Sequence, residues 1–364
     1  MPGVYISFPF CNQKCSFCNF ASGVFPKELE RAYLPALEQE IRTHNWSWTP
    51  DTVYLGGGTP SLMEPAALER LLKLIPGHEW KETTMEAMPG TLTRENVRAW
   101  RELGVNRVSL GVQSFVTSEL AKSGRKHDAA TVEADCALLR EEGIGNINLD
   151  LIAGLPGQTP ESWRESLDGI ERIAPPHVSV YILEVDGDSR LGLEVLQGGG
   201  RFFAGEVPTE DSMADLYETA VDRLARAGIH RYEISNFAVP GRESLHNLKY
   251  WRLEPYVGFG ADAHSFDGAV RTSNVESAQQ YVQRWSEGRT PQLDQSPARD
   301  DERFFVGLRL AQGIEPREDE WTRFAEPIER FVEIGLLERA GSRLRLTSRG
   351  VLLSNEVFQE FVNP

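Results

Sequence analysis

The chain has 364 residues, 40% of them hydrophobic and 25% charged, with a formal net charge of −16. This is the composition of a soluble globular protein of one large domain, or one large and one small, and its negative balance opposes nonspecific attraction to nucleic acid or anionic lipid. Four cysteines in that length exclude a disulfide scaffold, no apolar run can span a bilayer, and the start MPGVYISFPF lacks a signal peptide's basic region, so a cytoplasmic location is expected.

Short β-rich runs alternate with amphipathic helical stretches through the first two thirds of the chain. Strands are expected at 4–8, 52–56, 83–87, 106–112, 146–152 and 178–183, and helices at 28–43, 66–75, 94–104, 130–143 and 160–173. Thr159 before Pro160 is a helix start, a hydroxyl N-cap with proline in the first turn. Strand–helix units in series imply parallel strands with right-handed crossovers, in a barrel-like or a doubly wound sheet. No G-x-G-x-x-G follows the first strand. Polar and glycine features instead sit just after successive strands, where a β/α barrel carries its active-site face. The expected fold is α/β, a partial six-stranded (β/α)6 barrel over 1–235.

Beyond Glu184 the period is lost, which suggests a lid or an inserted hairpin. A helix follows at about 213–227 and a strand at 231–235, and 237–275 looks irregular and rich in aromatics and glycines. Residues 236–298 are expected to form a connecting region. Residues 299–364 read as helices, a small β-wing and a further helix, a winged-helix-like α+β domain. Its charge is acidic or mixed, which argues for packing against the barrel or a partner rather than DNA.

Three of the four cysteines, Cys11, Cys15 and Cys18, form a C-x3-C-x2-C run directly after the first strand. A zinc site of local thiols has C-x2-C pairs with a second pair farther on, and no second pair follows. Cys136, near Ala134, Leu138 and Leu139, reads as a small buried hydrophobe. Three local thiolates can hold three irons of a 4Fe–4S cube and leave the fourth iron open to a ligand. This spacing in this place resembles the radical S-adenosylmethionine (SAM) superfamily. There the methionine amino and carboxylate groups chelate the open iron, and electron transfer cleaves the sulfonium to a deoxyadenosyl radical. The glycines of YLGGGTPS let the backbone approach a ligand, and the resemblance puts Gly57, Gly58 and Thr59 at the methionine amino group. Glu86, Gln113 and Asp150 lie at the ends of the third, fourth and fifth strands, and Arg125 in the following loop, so they can converge on one ligand from one rim.

Along nearly its whole length the chain resembles a narrower group, the oxygen-independent coproporphyrinogen III oxidases and the related HemW-type haem chaperones. The stretches that carry this are YISFPFCNQKCSFCNF, YLGGGTPS, GVNRVSLGVQSF, NLDLIAGLPGQT, RYEISNFA, HNLKYW and GFGADAHSF. The resemblance implies that Tyr5, Phe17, Gly57, Gly58, Thr59, Glu86, Gln113, Arg125 and Asp150 contact SAM. The oxidases carry a further cysteine where Phe20 stands, and a longer arm before the first strand, which here begins at Val4. The chaperones carry HNxxYW, found here as HNLKYW at 246–251. His246 is thus the candidate haem-iron ligand, with Tyr250 and Trp251 packing against the macrocycle and His264 as a second candidate. His44, His78, His127, His177 and His230 have no motif context and are expected at the surface or as caps.

The expected function is to bind haem and deliver it to haem-requiring proteins, membrane-bound respiratory enzymes among them. The cluster and SAM would support transfer or the assembly of a homodimer. Two alternatives stand: an oxidase that decarboxylates two propionates of coproporphyrinogen III to vinyl groups, and a methyltransferase or other radical enzyme on an unrelated substrate.

Overall fold

The computed structural model describes residues 1–299 and 301–362. In chain order the first part runs β1 (Gly3–Phe8), α1 (Lys27–Thr43), β2 (Thr52–Gly57), α2 (Pro65–Leu72), β3 (Glu82–Ala87), α3 (Arg94–Glu102), β4 (Arg107–Gln113), α4 (Thr117–Lys122), α5 (Ala129–Glu141), β5 (Asn146–Ala153), α6 (Pro160–Ile173) and β6 (His177–Ile182). Strands β1 to β6 are parallel neighbours in sequence order, as the alternating pattern implies. The Thr159 cap is present, its side chain accepting from Ser162 N and Ser162 answering to Thr159 N.

The second part begins with α7 (Arg190–Leu196), followed by α8 (Glu210–Arg226), β7 (His230–Arg231), β8 (Asn236–Ala238), α9 (Leu245–Trp251), β9 (Tyr256–Phe259), β10 (His264–Phe266), β11 (Val270–Asn274), α10 (Ala278–Ser286) and β12 (Gln292–Pro297). The stretch after Glu184 is therefore a helix and a 3-10 turn, Arg201–Glu206, not a hairpin. Of the strand expected at 231–235 only Arg231 is in a strand, at the end of β7, which pairs with β8 just beyond that stretch. The stretch 237–275 is not irregular. Strand β9 pairs parallel with β1, and β10, β11 and β12 continue the sheet antiparallel beyond it. Strand β8 closes on the far edge against β6. The region expected to be a connector thus extends the barrel sheet at both ends.

The remainder comprises α11 (Glu302–Gly307), α12 (Glu318–Arg323), α13 (Ala325–Glu333), the hairpin β13 (Leu337–Ala340) and β14 (Arg343–Leu346), α14 (Ser348–Leu352) and α15 (Ser354–Val362). Its core stacks Phe304, Phe324 and Phe361, with ring centroids 4.4 to 5.4 Å apart. It is fastened to the barrel through the RYEIS stretch: Glu233 bridges Leu310, and Ala311 N donates to Tyr232 O.

Strand alternation divides the barrel chemically. Val4, Ile6, Val53, Leu55, Met85, Val108, Leu110, Ile147, Leu149, Val178 and Val180 are buried in the main core. The alternate residues, Tyr5, Tyr54, Glu86, Ser109, Asp150 and Ser179, share the inner face, with Tyr5 and Tyr54, Glu86 and Ser109, and Asp150 and Ser179 directly opposite, and all carry polar groups. The lumen is therefore lined for a polar ligand.

Candidate cofactor-binding site

Glu86 sits in the lumen, half-buried, and accepts from Tyr54 OH at 2.8 Å. Burial lifts its carboxyl to about 7, against the Tyr54 and Gly57 hydrogen bonds, which pull it down. One strand on, Asp150 accepts from Ser109 Oγ at 3.1 Å and from Asn148 Nδ2 at 2.7 Å. Burial raises its carboxyl too, opposed by Ser179, Asn148 and Ser109. Tyr54, Ser109 and Ser179 were missed by the sequence reading; the signal was there, because each lies on the same strand face as Tyr5, Glu86 or Asp150.

The glycine motif does two jobs. A Cβ on Gly58 would lie 2.7 Å from Phe10 O, so the turn after β2 packs on the backbone of the cysteine loop. Thr59 N donates to Phe10 O at 2.9 Å, which fixes that contact. Gly57, at φ +106°, occupies backbone space that a side chain would strain. Gln113 ends β4 at a bulge with φ 63°, and such strained backbone marks functional sites. Its amide and the Arg125 guanidinium meet over Gly111, where an added Cβ would lie 3.2 Å from Gln113 Nε2 and 3.3 Å from Arg125 Nη2. Gln113 Oε1 and Arg125 Nε are buried with no partner among the described residues. Such groups cost stability unless a ligand satisfies them.

Cys11, Cys15 and Cys18 are free thiols on the loop at the C-terminal end of β1. The loop is held from two sides: Gln13 Nε2 donates to Gly124 O at 2.6 Å and Ser16 N to Ser123 O after α4, and Leu191 N of α7 donates to Ser16 O. Burial raises the Cys15 thiol, and Arg125 opposes this by charge and a hydrogen bond. Among the described residues no three His, Cys, Asp or Glu side chains close on a single-ion site. Three free thiols on one short loop are the donor type that the irons of a cluster take. The rim also fits SAM: it holds two carboxylates suited to hydroxyls, and the unpartnered Gln113 Oε1 and Arg125 Nε suited to polar ligand groups. Phe17 packs with the small apolar cluster of Ile152, Leu155 and Leu191. Phe20 is 67% exposed. Cys136 is buried in the main core, its thiol pushed to about 12 by burial.

The HNLKYW helix, α9, lies at the opposite end of the barrel. Its N-terminus is bound by Glu82, which opens β3 and accepts from Ser244 Oγ, Leu245 N and His246 N at 3.0 to 3.2 Å. Lys249 is buried and reaches Asp51 Oδ1 at 2.6 Å. His246 is fully buried, Nδ1 2.9 Å from Thr52 Oγ1 and Nε2 2.8 Å from Tyr250 OH. Burial, then the Lys249 and Arg107 cations, pushes its imidazole down to about 3. The expectation that His246 ligates haem iron does not fit this geometry: both ring nitrogens are engaged and neither is accessible. His264 is exposed at the start of β10.

Two histidines expected at the surface are buried. His127 Nε2 contacts Val112 O at 3.0 Å, and burial pushes its imidazole to about 4. His177 lies between Asn148 Oδ1 at 2.6 Å and Tyr232 OH at 2.9 Å. His44 is wrapped by Trp46 and Phe259, with centroids 4.7 and 5.4 Å away. His78 and His230 are exposed, as expected.

Comparison with known proteins adds to this geometry. The radical SAM superfamily model matches residues 5–170, and the HemN C-terminal domain model matches 299–353. The haem chaperone HemW of Bacillus subtilis is 36% identical over 386 aligned positions, covering 100% of this chain and 99% of that protein. HemW of Lactococcus lactis is 33% identical, with 98% and 96% covered, and HemW of Escherichia coli 30%, with 99% and 97% covered. Among solved structures, the coproporphyrinogen III oxidase HemN of Escherichia coli superposes with a TM-score of 0.85 at 24% identity, over 100% of this chain and 90% of that one. That likeness is one of fold.

Proposed function

We propose a function from one premise: the chain belongs to the HemW family of radical SAM proteins. It is a haem chaperone that binds haem and passes it to haem-requiring proteins. The observation that carries the reading is the full-length similarity to three HemW proteins, in a chain whose HNLKYW helix and three-cysteine loop both stand in ordered, purpose-built surroundings.

Cys11, Cys15 and Cys18 would hold a 4Fe–4S cluster. Gly57, Gly58, Thr59, Glu86, Gln113, Arg125 and Asp150 would surround SAM, with Tyr5 in the lumen behind them and Phe17 on the cysteine loop itself. When bound, the pair supplies one-electron chemistry. The chain's own part is to orient the methionine end against the β2 turn, and to hold the sugar with two carboxylates. Gln113 and Arg125 close the mouth. Clients would include membrane-bound respiratory enzymes, and the cluster and SAM would support transfer or the assembly of a homodimer. Among the described residues no helix is long and apolar enough to cross a membrane.

The oxidase reading is less favoured, because Phe20 stands where those enzymes carry a further cysteine. The test is a haem titration of the anaerobically reconstituted protein, run beside a coproporphyrinogen III turnover assay. One haem per chain and no turnover are expected. Conversion of coproporphyrinogen III overturns the chaperone reading.

A further inference from the structure

Resting on that reading, we propose that the haem seat is the aromatic groove where α9, β9 and α11 meet, with the Tyr256 hydroxyl as the iron's axial ligand. A cavity of about 380 Å³ opens there. Its walls are Tyr250 and Trp251 of the HNLKYW helix, Tyr256 and Phe266 of the extended sheet, and Phe305 of the C-terminal region. The polar part of the lining is confined to a few groups, chiefly the Arg271–Glu302 ion pair. The rings hold one another rigidly: Tyr250 and Tyr256 meet edge to face at 4.7 Å, and Tyr256 and Phe266 lie 6.4 Å apart. Such preset, flat, apolar walls suit a tetrapyrrole. A groove of this size covers only part of the macrocycle and leaves an edge in water, which a carrier needs for hand-over.

The choice of ligand follows by elimination. His246 has both nitrogens engaged. Tyr250 OH is committed to His246 Nε2 at 2.8 Å. Tyr256 OH has a single long contact, 3.4 Å from Arg271 Nη1. Glu302 occupies the Nε and Nη2 edge of the same guanidinium. The phenol oxygen is otherwise uncommitted; burial raises its pKa, and the Arg271 cation beside it opposes that rise. Ferric haem iron accepts a tyrosine oxygen. On ligation the O–H proton leaves to solvent, an Fe–O bond forms, and no electron is transferred.

The position also separates cargo from chemistry. Tyr256 is level with Gly3, the first residue of β1, whereas the cysteine loop follows Phe8 at the other end. Six strand residues at about 3.3 Å each put roughly 20 Å between them. Haem held there lies outside reaction distance of the SAM rim, as befits a ligand carried rather than transformed.

The experiment titrates ferric haem into the full chain and four variants, each checked for folding by circular dichroism. The parent should show a phenolate-to-iron charge-transfer band. Tyr256→Phe should lose that band and weaken binding by roughly 10- to 150-fold, the range for losing a charged partner. Arg271→Gln should move the band. Val306→Trp, which fills the groove without touching the ligand, should prevent binding at haem concentrations that saturate the parent. Val239→Trp, in the separate hollow lined by Arg140 and Arg242, should bind as the parent does. If Tyr256→Phe keeps the parent's band and affinity, or Val306→Trp binds normally, the groove is not the seat. If the parent binds no haem, the chaperone reading itself fails, and the groove with it.

Discussion

Replacing His246 with alanine separates a ligand from a structural keystone. The imidazole joins Thr52, the first residue of β2, to Tyr250 on α9, and its ring lies 5.2 Å from that of Tyr54. Alanine would strand Thr52 Oγ1 in a fully buried place and release Tyr250 OH. Each orphaned group costs about 1–3 kcal/mol. The emptied ring volume under Tyr54 adds a cavity cost, so the loss should total about 3–5 kcal/mol. Urea unfolding of the apo-protein should show a lower midpoint at unchanged slope. The fraction that stays folded should keep the parent's ferric haem spectrum, because the iron's ligand lies elsewhere. His246→Gln, which can still reach one partner, should lose less. A His246→Ala protein as stable as the parent, with an altered axial-ligand spectrum, would refute this reasoning and restore His246 as the iron ligand.

Cys11→Ala, Cys15→Ala or Cys18→Ala should each abolish the reconstituted cluster, read as iron content and brown absorbance. Cys136→Ala should keep it, and in the unreconstituted protein the Cys136 thiol should be the last to react with a labelling reagent, being wholly buried. Glu86→Ala, Gln113→Ala and Asp150→Ala should weaken SAM binding, each by roughly 5- to 150-fold for about 1–3 kcal/mol of lost hydrogen bonding, without loss of iron; calorimetric titration decides it. Glu40 accepts from Gly260 N, Asn274 Nδ2 and Tyr281 OH, yet burial holds its carboxyl up at about 7. The folded state therefore keeps a proton that the unfolded chain releases from about pH 4.5 upward, so stability falls as pH rises from there to 7, by about 3 kcal/mol. Denaturation at stepped pH should show a flatter fall for Glu40→Gln than for the parent.

The six strand–helix units were legible because each strand has enough β-branched residues, and each helix enough period, to be read locally. The strands that widen the sheet were not. His264–Phe266 and Asn236–Ala238 span three residues each, too short for any alternation to show. The first pairs only because β9 comes beside β1, some 250 residues away in sequence, and the second because the chain returns to β6 after α8. The cysteine spacing and the polar residues at strand ends could be read because chemistry, not burial, dictates them. His177 and His127 could not, because what buries them is a network contributed by β5, β4 and the RYEIS stretch. His246 shows the same gap at a motif: the sequence names the residue, and only the packing of α9 beneath β2 shows what its nitrogens do.

The barrel's electrostatics sets the sign of one further behaviour. Glu86 and Asp150 share the lumen, burial raises both carboxyls and the Asp150 charge raises Glu86 further, and Arg107, 1% exposed at the start of β4, counters both. In the free protein Glu86 is therefore half-protonated at about pH 7. A cofactor that brings hydroxyl donors and a cationic sulfonium favours the carboxylate, so binding below pH 7 must expel a proton. Affinity for SAM should then rise by up to tenfold per pH unit toward pH 7 and level off above it. Glu86→Gln, which carries no such proton, should bind more weakly with no comparable slope. Calorimetry in two buffers of different ionisation enthalpy reads the proton directly. A parent that takes up protons on binding, or whose affinity falls as pH rises from 5.5 to 7, would mean that Glu86 meets the cofactor as the neutral acid and donates rather than accepts.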